Sequence, residues 1–222
     1  MNVKSEIALP HIYVLTFDNQ YELCMSFVRM QEFYESQKFR GKYFTLEEFI
    51  DYWAKEFGHG SFDYPARWNG FNLPSKVIDK WIKAFERADI REKEDELLDA
   101  IDNLRGKEEA VLPQKYYVIG VHAEQSDKTR QEVIEHEIAH ALYYLNGDYK
   151  KACNKMLKKV GATVYEKTKG KLVVAGYGEN VLEDEMQAYF STGGAPRLGI
   201  KGRKNFEGNL KIFKKLLTTE KK

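Results

Sequence analysis

The sequence predicts an α+β fold, mainly helical, with a small sheet and one helix that carries the chemistry. Three observations predict it. Apolar residues recur at three- and four-residue spacing through most of the 222-residue chain, and capping patterns precede several of those runs. Only two stretches, Ile12 to Phe17 and Tyr116 to Val121, have the β-branched and aromatic density of clear strands. A hydrophobic content of 43% is enough for a sizeable core, as one domain or as a domain with a substantial appendage.

In chain order, the first strand runs from Ile12 to Phe17, and Asp18 is the expected cap of an aromatic-rich helix from Tyr21 to Ser36. Thr45 with Glu48 forms a capping box for a helix from Leu46 to Phe57. The stretch GHGSFDYPARWNGFNLP, dense in Gly, Pro and Asn, reads as a loop. Its Tyr64, Trp68 and Phe71 either line a cleft or pin the loop to the body, and the same choice between a functional and a structural role applies to its lone His59. Ser75 is the expected cap of a helix through Arg87, whose Val77, Trp81 and Phe85 make an apolar stripe. From Glu86 to Glu109 the chain carries ten acidic and five basic residues, with Leu97, Ile101 and Leu104 on one side, which reads as a solvated helical face. The chain is expected to divide near residue 110, with a mostly helical region over 1–110 and a second region over 111–222.

The second strand feeds a polar loop, His122 to Lys128, and then the stretch TRQEVIEHEIAHALYYLNG. Thr129 with Glu132 reads as a capping box and Asn146-Gly147 as a stop. Within it His136, Glu137 and His140 form the pattern H-E-x-x-H. On a helix the two imidazoles stand one turn apart and reach one metal ion, with Glu137 beside the open coordination position. Taking 100° per residue from Ile134, Ile138, Ala141 and Leu145 fall within about 40°, whereas the histidines lie roughly 200° and 240° away. The pair therefore faces away from the apolar stripe. His122, at the strand end, is either a proton donor near a substrate or a plain loop histidine. Lys151 to Val160 reads as a helix closed by Gly161, and Thr163 to Val174 gives mixed signals.

Two histidines lack a third ligand, and VLEDEMQAYF, Val181 to Phe190, offers one. On a helix Glu185 falls among Leu182, Met186, Tyr189 and Phe190, while Glu183 and Asp184 point outward. A carboxylate in an apolar face needs a cation, which is either the metal or a lysine or arginine; Glu185 is the expected ligand and Glu183 the alternative.

His136-Glu137-x-x-His140 with a glutamate 45 residues later on a second helix resembles the zinc peptidases called gluzincins, which include thermolysin and the compact minigluzincins. Asp184-Glu185-x-x-Ala188 is similar to the Asn-Glu-x-x-Ala arrangement of many gluzincin ligand helices. The likeness covers about residues 111 to 195 and excludes a metzincin, whose longer signature asks for Gly and His where this chain has Tyr143 and Asn146. It implies a zincin-like catalytic domain holding one Zn2+ through His136, His140 and Glu185, and hydrolysing a peptide or protein substrate with Glu137 as general base and acid. It also implies an oxyanion donor, for which Tyr177 is the candidate. Where thermolysin has an aspartate that orients a zinc histidine, this chain has Tyr189, so its hydroxyl or a backbone carbonyl is expected to hold the imidazole. Two other readings stay open: a regulatory protease cleaving one specific partner or repressor, and a protein whose zinc is only structural. Residues 1–110 would enlarge the cleft, bind a partner or cover the metal.

The remaining composition narrows the partners. No apolar run is long enough for a membrane span, and MNVKSEIALPHIYVLTF lacks a signal peptide's layout. Cys24 and Cys153 are expected as buried free thiols of a reducing, cytoplasmic compartment. The net charge of +1 gives no preference for nucleic acid, and Lys201 to Lys222 reads as an amphipathic helix docked through Phe206, Leu210, Phe213 and Leu217.

Overall fold

The computed structural model describes residues 3–86, 89–108, 115–174, 177–200 and 207–220. Among them nine α-helices and a four-stranded mixed sheet give the expected α+β, mainly helical architecture. The chain forms two compact units, Met1–Ile134 and Glu135–Lys222. The division expected near residue 110 lies outside the described residues.

The sheet belongs to the first unit. Its order is β1-β2-β4-β3, with β1 (Val3–Leu9) antiparallel to β2 (Ile12–Phe17), β2 parallel to β4 (Tyr117–His122), and β3 (Gly70–Pro74) antiparallel to β4. Two strands were not expected. β1 is an edge strand in which only Leu9 is buried, and its Lys4, Ser5 and Glu6 interrupt the apolar pattern. β3 lies inside the Gly- and Pro-rich stretch, at the opposite edge, where its terminal Pro74 removes no central ladder bond. The strand β4, buried at every position, sits between β2 and β3 and so completes the N-terminal unit's sheet.

Helix α1 (Gln20–Glu35) packs on this sheet. Its close approach requires Gly120 in β4, because a Cβ there would lie 2.7 Å from Leu23 Cδ1 and from Phe27 Cε2. Asn19, not Asp18, caps α1, its side chain accepting from Glu22 N. The Thr45–Glu48 capping box stands at the start of α2 (Leu46–Glu56). Helix α3 (Ser75–Ala84) has Pro74 at its N-cap; the Ser75 hydroxyl instead accepts from Tyr116 N, the residue just before β4. The acidic run forms α4 (Glu92–Lys107), with Leu97, Ile101 and Leu104 buried as expected. It is not wholly a solvated face. Glu94 is fully buried and pairs with the buried Arg29 of α1, whose guanidinium also donates to Asp89 O and lies over Phe85 at 4.9 Å. Breaking such a pair would strand a buried charge.

Two of the three loop aromatics take the pinning role. Phe71 stacks on Phe27 at 5.6 Å and Tyr64 is buried, so both pin the loop, whereas Trp68 is about half exposed. The Tyr64 hydroxyl donates to Glu32 Oε1 at 2.7 Å. Burial pushes the Glu32 carboxyl up to about 7, with the Tyr64 bond opposing and the charge of Glu35 adding to the rise. Because the folded value lies above the unfolded one, ionisation of Glu32 opposes folding. The penalty is absent below about pH 4.5, grows as pH rises towards 7 and is constant above it. Glu32→Gln keeps an acceptor for Tyr64 and removes the charge. It should stabilise the protein at pH 8 by on the order of 2 kcal/mol and leave it unchanged near pH 4. Urea unfolding at both pH values checks this, and an equal effect at the two would refute it.

In the second unit, α6 (Gly147–Leu157), α7 (Ala162–Val174), α8 (Leu182–Ser191) and α9 (Glu207–Glu220) enclose the core residues Leu157, Leu172, Leu182, Met186, Phe190 and Ile200. Helix α9 docks on α6 and α8 with Leu210 and Phe213 buried, as expected for the C-terminal stretch; Phe206 lies outside the described residues. The preceding helix ends at Leu145, where the Asn146-Gly147 stop was expected, and α6 begins at once because the Asn146 side chain caps it by accepting from Asp148 N and Tyr149 N. Cys24 and Cys153 are buried free thiols, and no helix among the described residues is long and apolar enough to cross a membrane.

Candidate metal centre

The motif helix α5 spans Asp127–Leu145, a turn earlier than its expected start. Thr129 is already helical. The local capping contact comes from Ser126, whose hydroxyl accepts from Thr129 N. Along its second half the helix is buried almost all round, Ile138 through Tyr143 inclusive, so His140 is buried at 5% exposure, not turned away from the interior. A charged or coordinating histidine at such a position needs partners, and α8 supplies them.

His136, His140 and Glu185 converge within the second unit, with one ligand atom of each lying within 4.8 Å of the others. His140 Nε2 is 3.3 Å from His136 Nε2 and 3.6 Å from Glu185 Oε1, and His136 Nε2 is 3.9 Å from Glu185 Oε2. Metal-ligand bonds of about 2.1 Å in a tetrahedron place neighbouring donors about 3.4 Å apart. The donor spacing and the donor set of two imidazoles and one carboxylate therefore fit a small divalent ion with a vertex to spare. The set suits zinc, although imidazole and carboxylate also bind other first-row metals. Glu183, the alternative ligand, is exposed.

The residue that orients His140 was not anticipated. Asp184 does not simply point to solvent: its Oδ1 lies 2.8 Å from His140 Nδ1. An ionised carboxylate only accepts, so Nδ1–H donates, and Nε2, which faces His136 and Glu185, is the nitrogen left to coordinate a metal once its own proton is displaced. Tyr189, expected to play this part, instead packs edge-on against His136, with ring centroids 4.8 Å apart. A signal for Asp184 exists in the sequence. Asp184, Gln187 and Ser191, at spacings of three and four, trace a polar stripe along one face of the helix beside Leu182, Met186, Ala188 and Phe190.

Burial works against a charge on His140, but the carboxylates of Asp184, Glu185 and Glu137 outweigh it and hold the imidazole well above the ordinary histidine range. Tyr177 is partly buried against the core of this unit, and its hydroxyl is hydrogen-bonded with Tyr189. Burial, then the charge of Glu185, pushes its hydroxyl far up, and the charge of Glu137 acts in the same direction, so Tyr177 stays a neutral donor. His122 closes β4 in the first unit. It is buried, and that burial lowers its basicity despite Glu124 nearby. His59 is exposed in a left-handed turn at φ 49°.

No protein-family model matches the chain, and no curated protein or solved structure matches it.

Proposed function

We propose that the chain is a zinc-dependent peptidase in which His136, His140 and Glu185 hold the ion and Glu137 acts as general base and then general acid. The observation that carries this reading is the convergence of two imidazole nitrogens and one carboxylate at tetrahedral-edge spacing, with a second carboxylate next to one of the histidines in sequence. Bound zinc supplies the Lewis acidity that makes water a nucleophile near neutral pH. Glu137 accepts the proton that water gives up as it attacks a peptide carbonyl, then returns it to the departing amine. Tyr177, kept protonated, donates to the negative charge that develops on the carbonyl oxygen. Asp184 keeps the Nδ1–H tautomer of His140 throughout. Release of new amino termini from an unstructured peptide by zinc-loaded protein, and its loss on removal of the metal, is the direct test; zinc-replete protein that cleaves no peptide would overturn the peptidase reading.

The electrostatics of the site add a pH dependence. With His140 held well above its ordinary range, a proton on Nε2 competes with the metal for that nitrogen. Zinc binding should therefore release protons, and affinity should fall as pH is lowered from the weakly alkaline through the neutral range. Calorimetric titration in buffers of different ionisation enthalpy measures the protons released. An affinity that is flat across that window would contradict the charge arrangement.

A further inference from the structure

Gln187 is fully buried, and its amide has no role in the chemistry proposed above. Its partners are unusual for a helix-packing residue. Nε2 donates to Ala139 O at 3.1 Å and to Asp184 Oδ1 at 3.0 Å, which uses both amide hydrogens. Oε1 faces the Tyr149 hydroxyl at 3.1 Å and the Ser191 hydroxyl at 3.4 Å. Turning the amide over would set its oxygen against a carbonyl and a carboxylate, so the surrounding groups leave one orientation. Tyr149 is itself buried and paired with Ser191 at 3.0 Å, and burial keeps its hydroxyl protonated.

This arrangement has a direction. Asp184 Oδ1 receives two hydrogen bonds, one from His140 Nδ1 and one from Gln187 Nε2. The second amide hydrogen holds the backbone carbonyl of Ala139, the residue next to His140 on α5. One side chain thus grips both the carboxylate that orients the imidazole and the main chain that carries it. Without the amide the Asp184 carboxylate could rotate, and the ligand nitrogen would lose its fixed aim.

We infer that Gln187 is the positioning residue of the metal centre, setting its affinity by immobilising Asp184, with Tyr149 locking the amide. The inference rests on His136, His140 and Glu185 being metal ligands, not on peptide hydrolysis. Gln187→Met keeps length and approximate volume while removing both donors. Full-length protein carrying Gln187→Met, Asp184→Asn or both is titrated with zinc against a chromophoric chelator, and with cobalt, whose visible spectrum reports ligand geometry. Outer groups of this kind are worth roughly 10- to 100-fold in metal affinity. Asp184→Asn should lose affinity within that range, Gln187→Met about tenfold with an altered cobalt spectrum, and the double variant no more than Asp184→Asn alone.

A folded Gln187→Met protein with parental affinity and spectrum, or losses that simply multiply in the double variant, would overturn the inference. Either would reduce Gln187 to packing between helices. If Gln187→Met fails to fold, Tyr149→Phe carries the test. A loss of affinity that vanishes in the Asp184→Asn background supports the lock, and the same loss in both backgrounds refutes it. Parent protein that binds zinc without hydrolysing peptides would sink the peptidase reading and leave this one standing; parent protein that binds no zinc would sink both.

Discussion

Glu137→Gln is expected to lower peptide hydrolysis by roughly 10²- to 10⁴-fold while zinc content and fold stay unchanged. The amide has the shape of the carboxylate and fits the same half-buried position on α5, so the helix and the neighbouring imidazoles have no reason to move. It lacks the basic oxygen that takes a proton from attacking water, and in the later step it has no acquired proton to give the leaving amine. Both halves of the turnover fail together. Glu137 is also one of the three carboxylates whose charges raise His140, so its neutralisation should ease proton loss from that imidazole and leave zinc binding equal or slightly tighter. Initial rates on an unstructured peptide, measured beside zinc stoichiometry and circular dichroism, make the comparison. Undiminished turnover would exclude Glu137 as the base, and lost zinc would make it a ligand.

The site was legible where a residue type is chemically costly unless explained. Two histidines one turn apart and a glutamate set in the apolar face of a distant helix each demand a partner, and the structure brings the three together. Asp184 and Gln187 were harder to see for a physical reason. A helical wheel sorts residues by angle from an apolar centre and gives Asp184 to solvent, but a site that needs a carboxylate for its imidazole changes which face is useful. Tyr189 shows the same limit from the other side: its position after the glutamate suggested an orienting hydroxyl, while ring packing against His136 is what that side chain provides.

The fold was legible to a similar degree. The capping box at Thr45 and the apolar spacings of α4, α8 and α9 give local signals strong enough to place those helices. Both edge strands escaped, because an edge strand is held by pairing to its neighbour, which leaves little trace in its own residues. Glu94 is the instructive case among the charges. Nothing in a run of ten acidic residues distinguishes the one that a buried arginine 65 positions away draws inside.

Glu185→Ala should reduce zinc affinity by roughly 10²-fold, and Glu183→Ala should leave it unchanged. Four protein ligands together give about 10–16 kcal/mol of apparent zinc binding, so one ligand accounts for about 3 kcal/mol, or roughly two orders of magnitude. The structural contrast between the two glutamates is direct. Glu185 places Oε1 3.6 Å from His140 Nε2 and Oε2 3.9 Å from His136 Nε2, whereas Glu183, two residues earlier on α8, is exposed. The substitution also removes the only negative ligand of the three, leaving the ion's double charge facing two neutral imidazoles, with Asp184 compensating only through the far side of one ring. Competition against a chelator of known affinity reads the change for each variant. If Glu185→Ala held zinc as tightly as the parent while Glu183→Ala did not, the ligand would be the other carboxylate. If neither lost affinity, the third donor would have to come from another group, and the two imidazoles alone would define the centre.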